Sequence, residues 1–395
     1  MSVSSDLIPT RTQAVQRACD LFPIIRDNAR RADDERHLPS EVIAAFAESG
    51  LAKMLVPHRF GGWELDLTTH MEAAIELGRA GGAMGWVGSF LIDHPFILAH
   101  FDEQAQMDVW GTENAGALMS TSFVPVGKVD VVDGGYHLSG TWGWASGAAH
   151  ASWIMLGGLI GGGPDGHPEY RLFLVPRADF DVVDTWYSAG LRGSGSDDVT
   201  VSGAFVPEHR TLVMTSMREA TSPGGAVHAN PLYNQPFMAH GGHAMVSPAI
   251  GMARGVIDAW QDHVRSRSHS YTREQVAAGL PMQLALAEAS VQVDAAELLL
   301  RRCLARVESG EPITLEDRVR HRRDITYVPQ LLVKAVNNLM QLAGASGLRD
   351  ESPIQRGWRD VRAVSCHVFC NFNAAGENYG RMAFGLPLNP RDANF

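Results

Sequence analysis

The chain has 395 residues, of which 45% are hydrophobic and 19% are charged, and its formal net charge at pH 7 is −11. This composition is typical of a globular protein with a large core, and it excludes wholesale disorder. The negative charge argues against nucleic acid or an anionic membrane as the main partner. No cationic start precedes a long apolar run, so we expect neither a secretory signal nor a membrane span, and hence a cytoplasmic protein.

Residues 1–115 predict an N-terminal helical domain. Apolar residues recur at helical spacing over 11–33, where Pro23 predicts a kink or a break. A second helix is predicted to end at Gly50, which can close it as a C-cap. The helical pattern resumes over 67–82. This part of the chain is expected to surround a core.

The pattern changes to short β-strands over 116–215. The predicted strands are rich in β-forming residues and are bounded by Gly, Pro or Asp-Gly. They cover residues 117–124, 128–133, 135–142, 152–160, 170–176, 181–187 and 198–206. Asp133 and Gly134 have the turn chemistry of a hairpin between two of them. The sequence therefore predicts a central antiparallel β domain, either a small barrel or a sandwich.

Residues 216–395 predict a C-terminal helical bundle of the four-helix type. Segments 281–305 and 325–343 carry long apolar stripes with few helix breakers. Wide apolar faces of this kind are common oligomer surfaces. The chain is thus predicted to be of the α+β class, with helices, then strands, then helices.

The four cysteines are too sparse for a disulfide framework. Cys366 and Cys370 have helical i, i+4 spacing beside His367, but no further ligands stand at a suitable distance along the chain. We therefore predict no metal site, and we expect both thiols to be buried like small apolar side chains.

Three motifs, in this order, resemble the acyl-CoA dehydrogenase superfamily over nearly the whole chain. They are HLPSEVIAAFAESGLAKMLVPHRFGG near the N terminus, GLRGSGSDDVTVSGAFVP at 190–207, and QLAGASGL followed by PIQRGWRDVRA within 341–363. The resemblance implies an acyl-CoA dehydrogenase-like fold, with an N-terminal helical domain, a central β domain and a C-terminal bundle.

The dehydrogenases of that superfamily need a carboxylate base, and this chain lacks one at both family positions. In most members a Glu follows the Arg-Asp pair that matches Arg359 and Asp360, but here the following residues read VSCHVF. In a minority the base lies on the first helix of the C-terminal domain, and here that region reads FMAHGGHAMVSPAIG, without Asp or Glu. The resemblance therefore implies the fold without thioester dehydrogenation.

A narrower group with this fold is more similar: the oxygenase components of two-component flavin-dependent monooxygenases, such as 4-hydroxyphenylacetate 3-hydroxylase and secosteroid 4-hydroxylase. Segments 120–153, 184–196 and 355–367 carry this resemblance. It implies that reduced FMN or FAD and O2 form a C4a-hydroperoxide, which hydroxylates a small aromatic substrate, a phenol in the first interpretation. A separate reductase would supply the flavin by diffusion, and the protein would be a homotetramer.

Three other functions stay open. The same flavin chemistry could act on an indole or on a sulfur or nitrogen heterocycle. An acyl-CoA dehydrogenase and a non-catalytic flavin-binding protein are the remaining alternatives. The segment GGGPDG at 161–166 has GxGxxG spacing after a predicted strand, but the next predicted element is another strand and not a helix, and no P-loop is present. We therefore do not expect nicotinamide to bind here.

The resemblance assigns the chemistry to a few side chains. Ser146 matches a serine that bonds flavin N5, where a hydroxyl can accept or donate without bringing charge. His367 matches a histidine that faces flavin C4a and can relay a proton near neutral pH. His94 matches a histidine that binds or deprotonates the substrate hydroxyl, and Ser120 or Ser122 matches a serine near it. Strand alternation places both serines on one face. For each residue, an ordinary structural role is the alternative.

Further flavin contacts are expected from aromatic and basic side chains. Trp142, Trp144 and Trp153 could wall the flavin ring, with packing in the β core as the alternative for at least one of them. The segment that holds Arg192, Ser194 and Ser196 resembles a flavin-contacting segment. Five arginines are candidates for phosphate contacts, with ion pairing as the alternative: Arg265, Arg267, Arg273, Arg356 and Arg359.

Overall fold

The computed structural model describes residues 8–111, 114–161, 167–268 and 271–389. Its N-terminal part contains the helices α1 (Arg11–Asp20), α2 (Phe22–Glu35), α3 (Ser40–Ser49), α4 (Leu67–Ala80), α5 (Gly82–Leu98) and α6 (Glu103–Trp110). Pro23 lies in the first turn of α2, where its missing N–H costs nothing, so the predicted break falls just before it. Gly50 closes α3 with φ of 75°, as predicted.

The central part is one seven-stranded sheet within the described residues, in the order β5-β6-β2-β1-β3-β4-β7. Its strands are β1 (Met119–Val132), β2 (Gly135–Ala145), β3 (Trp153–Ile160), β4 (Glu169–Pro176), β5 (Asp181–Val183), β6 (Asp197–Pro207) and β7 (Thr211–Val213). The short strand β7 was not predicted from the sequence. A hydrophobic core of its own, separate from the helical core, fills the inside of this sheet.

The prediction of a wholly antiparallel β domain is wrong for one pair of strands. The two segments predicted at 117–124 and 128–133 form the single strand β1, and a register shift interrupts its pairing midway. Its first half pairs with β3 in parallel, and its second half pairs with β2 in antiparallel fashion. Because one half of β1 pairs with β3 and the other half with β2, the sheet contains both parallel and antiparallel pairs, and it bends around its core.

The strand predicted at 181–187 is shorter than expected and ends at Val183. Beyond it, the backbone N–H groups of Thr185 and Trp186 both donate to Oδ1 of Asp197, at 3.0 Å each. Asp197 is fully buried. A buried carboxylate thus replaces a neighbouring strand as the hydrogen-bond acceptor, and the chain turns toward the site described below.

The C-terminal part contains α7 (Met214–Arg218), α8 (His243–Arg265), α9 (Leu280–Glu308), α10 (Leu315–Ala343), α11 (Pro353–Ser365) and α12 (Phe372–Ala383). Helices α8 to α11 pack on one another, and α8 also packs against α4 and α5. The N-terminal and C-terminal helices therefore share one hydrophobic core. In the described ranges, no helix combines the length and the apolar character needed to cross a membrane.

The structure corrects one expectation about the cysteines. Helix α11 ends at Ser365, so Cys366 and Cys370 do not share a helix, and their i, i+4 spacing has no helical meaning. Cys370 is buried as expected, but Cys366 is exposed. His367 lies in the extended backbone between α11 and the short turn that follows it.

We predict that the crossing of α4 and α8 is intolerant of any side chain at Gly251. A Cβ there would overlap the carbonyl oxygen of Ile75 on α4. Gly251→Ala should therefore lower the free energy of unfolding by about 1–3 kcal/mol, because the helices must separate. Urea denaturation measures this change.

Gly380→Ala on α12 is the matched control, because among the described residues no atom outside its own helix backbone lies within 4 Å of the added Cβ. Alanine is the better helix former, so this variant should be as stable as the parent or more stable. Equal losses in both variants would contradict the packing argument.

Candidate active site

Three aromatic side chains line one face of α5 at i, i+4 and i+8: Trp86, Phe90 and His94. The rings of Trp86 and Phe90 are nearly perpendicular, with centroids 4.8 Å apart. Phe90 and His94 are stacked at 5.4 Å with an interplanar angle of 11°. Residues at this spacing project from the same side of a helix. The row therefore forms one wall of the candidate site, in which Trp86 and His94 contact the central sheet.

Ser146 follows β2 and meets this wall at Trp86. Its Oγ accepts a hydrogen bond from Trp86 Nε1 at 2.9 Å and lies 2.7 Å from Ser196 Oγ. Ser196 Oγ is in turn 2.7 Å from Ser194 Oγ. The structure thus joins three residues that were predicted from the sequence as flavin contacts, and it adds Trp86, which was not predicted.

The indole N–H fixes what the Ser146 hydroxyl can do. An indole N–H only donates, so Ser146 Oγ must accept from Trp86, and it keeps one lone pair and its own proton. It can accept a hydrogen bond from a further N–H while donating its own to Ser196. Alternatively, it can accept one from Ser196 and donate one to a ligand. This versatility suits flavin N5, which carries a hydrogen only when the flavin is reduced.

His367 approaches the same tryptophan from the C-terminal part of the chain. Its ring centroid lies 6.1 Å from that of Trp86. The backbone N–H of Phe369 donates to His367 Nδ1 at 3.1 Å, which places the proton of the neutral ring on Nε2. Solvent reaches the side chain, but the surrounding protein and the positive charge of Arg322 lower its pKa to about 4. His367 is therefore a neutral hydrogen-bond donor at pH 7.

His94 has the opposite hydrogen-bonding polarity to His367, because its Nε2 is an acceptor. Its Nδ1 lies 2.7 Å from the carbonyl oxygen of Met119, which can only accept, so Nδ1 carries the proton and Nε2 keeps a lone pair. Burial lowers its pKa to about 4, so the ring is neutral at pH 7. As expected from the divergence of adjacent helical side chains, Asp93 does not orient it, and its carboxylate lies near His243 instead.

Ser120 and Ser122 lie on one face of β1, as strand alternation predicts, and both are buried. The Ser120 hydroxyl donates to the carbonyl oxygen of Ser146, and the Ser122 hydroxyl donates to that of Gly143, each at 2.8 Å. Both hydroxyls therefore tie β1 to the segment that carries Ser146. Since their protons are used, each can offer only a lone pair to a substrate.

The three tryptophans proposed for the flavin ring lie in different environments. Trp142 is fully buried in the β core, where its Nε1 donates to Gly157 at 2.7 Å, in line with the core-packing alternative. Trp153 is half-buried beneath the guanidinium of Arg210. Trp144 is 65% exposed and has φ of 62°, so its indole lies outside the β core.

The arginines proposed for phosphate contacts mostly bind protein groups. Among them, Arg359 pairs with the Asp33 carboxylate at 2.7 Å, which joins α2 to α11 and follows the ion-pairing alternative. Arg192, from the segment that resembles a flavin-contacting one, donates to the carbonyl oxygens of Asp33 and Ser188. Of the remaining candidates, Arg267 donates to the carbonyl oxygen of Ala343. Arg265 and Arg273 are exposed, and Arg265 lies beside Asp262. Burial lowers the pKa of Arg356.

The first comparison concerns the fold. The N-terminal domain model of the acyl-CoA dehydrogenases matches residues 23–109, and the C-terminal domain model matches residues 243–372. The crystal structure of the 3-HSA hydroxylase from Rhodococcus sp. RHA1 is similar with a TM-score of 0.89 and 34% identity, and the match covers 98% of this chain and 99% of the other. The protein thus has the acyl-CoA dehydrogenase fold.

Two curated relatives show which kind of enzyme with this fold the chain is similar to. The chain is 36% identical over 380 residues to HsaA, the oxygenase subunit of a flavin-dependent monooxygenase from Rhodococcus jostii (strain RHA1), covering 95% of this chain and 99% of that protein. It is 35% identical over 388 residues to the oxygenase component of an FADH(2)-dependent resorcinol hydroxylase from Rhizobium sp. (strain MTP-10005), covering 94% of each. The chain belongs to the family of oxygenase components of two-component flavin-dependent monooxygenases.

Family membership defines the chemistry. The protein is an oxygenase component that uses reduced flavin and O2 to hydroxylate an aromatic substrate, and a separate reductase component supplies the reduced flavin. The residues around Ser146 fit a flavin, because the hydroxyl has a spare lone pair and the neighbouring Trp144 side chain is uncovered.

We predict that Trp86 acts through Ser146. Trp86→Phe keeps an aromatic ring but removes the N–H donor, so the hydroxyl of Ser146 loses its fixed orientation. The loss of one such hydrogen bond is worth about 1 kcal/mol, so the yield of product per reduced flavin oxidised should fall about fivefold. Product mass spectrometry with flavin absorbance measures this ratio. The double variant Trp86→Phe/Ser146→Ala should be no worse than Ser146→Ala alone, whereas multiplied losses would show independent roles.

Proposed function

We propose that the enzyme hydroxylates a phenol at the carbon ortho to its hydroxyl group. The observation that carries this proposal is the buried, neutral His94, whose Nδ1 is held by Met119 and whose Nε2 lone pair can accept the phenolic O–H. The stacked ring of Phe90 supports the imidazole from one side. A substrate held in this way has its hydroxyl fixed, and the neighbouring ring carbon is electron-rich.

Each site residue has a separate task in this proposal. Reduced FMN or FAD supplies the electrons that activate O2. Ser146 Oγ would accept a hydrogen bond from flavin N5–H, and Trp86 and Ser196 set the direction of its hydroxyl. His367 presents Nε2–H as a donor to oxygen on the flavin side of the site. The wall formed by Trp86 and Phe90 is apolar and keeps water away from the reacting groups.

An indole or a related heterocycle is a second candidate, and one observation favours it. A histidine with a pKa of about 4 is a better hydrogen-bond acceptor than base at pH 7, so His94 need not remove a proton from its ligand. The N–H of an indole could take the same hydrogen bond as a phenolic O–H.

We also propose a homotetramer and delivery of the reduced flavin by diffusion. Along α9, Leu284, Val291 and Leu298 recur every seven residues and are 60%, 66% and 66% exposed. A stripe of this kind is usually covered by a helix of another subunit. Sedimentation velocity tests the assembly, and product formation with chemically reduced flavin and no reductase tests the delivery.

The main test supplies purified protein with chemically reduced FMN or FAD, isotope-labelled O2 and a panel of phenols and indoles. One labelled oxygen atom should appear ortho to a phenolic hydroxyl. Ser146→Ala and His367→Asn should each lower the product yield by about tenfold or more while flavin oxidation continues. Cys366→Ser is the matched control beside His367, and it should leave the yield unchanged. Absence of the label from every product would refute the proposal.

His94→Gln distinguishes the two substrate classes. If Nε2 accepts and activates a phenolic O–H, this variant should lose about 10²-fold in kcat/KM for phenols and much less for indoles. Because its folded pKa is lowered, His94 stays unprotonated at neutral and mildly acidic pH and gains a proton only as the pH falls through about 4. The pH profile of phenol turnover should therefore show no step from His94 near its ordinary pKa. Unchanged phenol turnover in the variant would favour the heterocycle.

A further inference from the structure

Three buried side chains meet where α4, α5 and α8 pack together. They are His70 on α4, Asp93 on α5 and His243 on α8, and they are 0%, 6% and 1% exposed. His70 Nδ1 lies 3.0 Å from His243 Nε2 in hydrogen-bond geometry. Asp93 Oδ1 lies 3.7 Å from His243 Nε2. The proposed chemistry uses none of these residues.

The outer nitrogen of His70 must carry a proton. His70 Nε2 lies 3.0 Å from the carbonyl oxygen of Ser89 and 3.1 Å from Ser89 Oγ. The Ser89 hydroxyl donates its own hydrogen to the carbonyl oxygen of Ala244 at 2.7 Å, so it can only accept from His70. Both neighbours are acceptors, and in the neutral ring Nδ1 is therefore a lone pair.

The outer nitrogen of His243 must carry a proton for the same reason. His243 Nδ1 lies 3.1 Å from the carbonyl oxygen of His240, which can only accept. In the neutral ring Nε2 is then a lone pair as well. Two lone pairs would thus face each other across the 3.0 Å gap between His70 and His243, an arrangement that repels unless a positive charge lies between them.

A proton on Asp93 would not remove this repulsion. At 3.7 Å from His243 Nε2, a protonated Asp93 is too far away to donate a hydrogen bond. Moving that proton into the gap between the two imidazoles creates a hydrogen bond and an ion pair, and the cluster stays neutral overall. Burial raises the pKa of Asp93 to about 7 and lowers the pKa of both imidazoles, so it disfavours either charge alone, and the geometry of the gap is what favours the ion pair.

We infer that His70 and His243 share one proton and that Asp93 is its buried counter-ion. The resulting cluster is a positioning device that fixes α4, α5 and α8 relative to one another. The three side chains are also of the types that bind divalent metal ions, and their ligand atoms lie within 4.8 Å of one another. The two nitrogens, however, point at each other along a hydrogen bond, and this favours the proton.

The cluster lies close to two parts of the candidate site, the row on α5 and the segment that carries His367. On α5, Asp93 is adjacent to His94 and follows Trp86 by seven residues, so it projects close beside the row that begins at Trp86. On α8, the residue before His243 is Gly242, which packs so closely on the ring of Phe369 that a Cβ would overlap it. The N–H of Phe369 holds His367. The charge assignment is independent of the proposed function, whereas this positioning role rests on it.

Thermal unfolding of paired variants tests the charge assignment. Asp93→Asn should lower the unfolding midpoint by several degrees, because it removes the counter-ion. His243→Gln places an amide N–H where Nε2 stood, so it can donate to His70 Nδ1 without an added charge. In the His243→Gln background, Asp93→Asn should therefore cause no further decrease.

The control is His240→Phe, which alters a neighbouring buried histidine whose two ring nitrogens have no protein partner among the described residues. In that background, Asp93→Asn should cost as much as in the parent. Equal costs of Asp93→Asn in all three backgrounds would overturn the assignment.

A spectroscopic measurement tests the proton itself. With isotope-labelled histidine, proton NMR should show one strongly deshielded N–H resonance that is lost in His243→Gln and kept in His240→Phe. Its absence from the parent, or a stoichiometric transition metal in the purified protein by elemental analysis, would overturn the shared proton.

The positioning role has its own readout. Asp93→Asn should raise KM and lower the yield of product per reduced flavin, and His243→Gln/Asp93→Asn should restore both toward the values of His243→Gln. Parent-like kinetics in Asp93→Asn would refute positioning while leaving the charge assignment to the unfolding and NMR results.

Discussion

The hydrogen bond from Trp86 Nε1 to Ser146 Oγ joins the two halves of the site. Trp86 belongs to the helical part of the molecule, and Ser146 follows a strand of the central sheet. The backbone of Ser146 is held separately, because the Ser120 hydroxyl donates to its carbonyl oxygen. One contact orients the hydroxyl and the other fixes the main chain, and the neighbouring His367 ring lies against the same tryptophan. If the sheet shifted relative to α5, the contact of Trp86 with Ser146 and that of His94 with Met119 would both be lost.

Two histidines obtain opposite polarity from one backbone contact each. A carbonyl oxygen at Nδ1 makes His94 an acceptor at Nε2, and a backbone N–H at Nδ1 makes His367 a donor at Nε2. The lowered pKa values keep both rings neutral at pH 7, so the polarity depends on the tautomer and not on charge. In the proposed function, His94 would bind the substrate proton and His367 would donate to an oxygen atom on the flavin.

The absence of a carboxylate base explains how this fold changes its chemistry. Where the dehydrogenases of the superfamily have Glu close after the Arg-Asp pair, this chain places His367 in extended backbone beyond the end of α11. Arg322 nearby, whose guanidinium lies over the ring of Phe369, further disfavours a positive charge on that imidazole. A neutral imidazole whose remaining ring nitrogen carries the proton cannot remove a proton from carbon, and the proposed function uses it as a donor to oxygen.

Much of the fold and part of the site were determined by the sequence itself. Helix periodicity, Pro23 and Gly50 define α1 to α3, and the local motifs around Ser146 and His367 indicate a flavin-binding monooxygenase, because these signals arise from neighbouring residues. The tertiary structure alone decided what depends on distant partners. Trp86 acquires its role only because Ser146 comes within reach of its indole, and β1 pairs in parallel only because β3 returns beside it. Asp93 turns from its neighbour His94 to His243, because a helix directs adjacent side chains to different faces and packing decides what each of them meets.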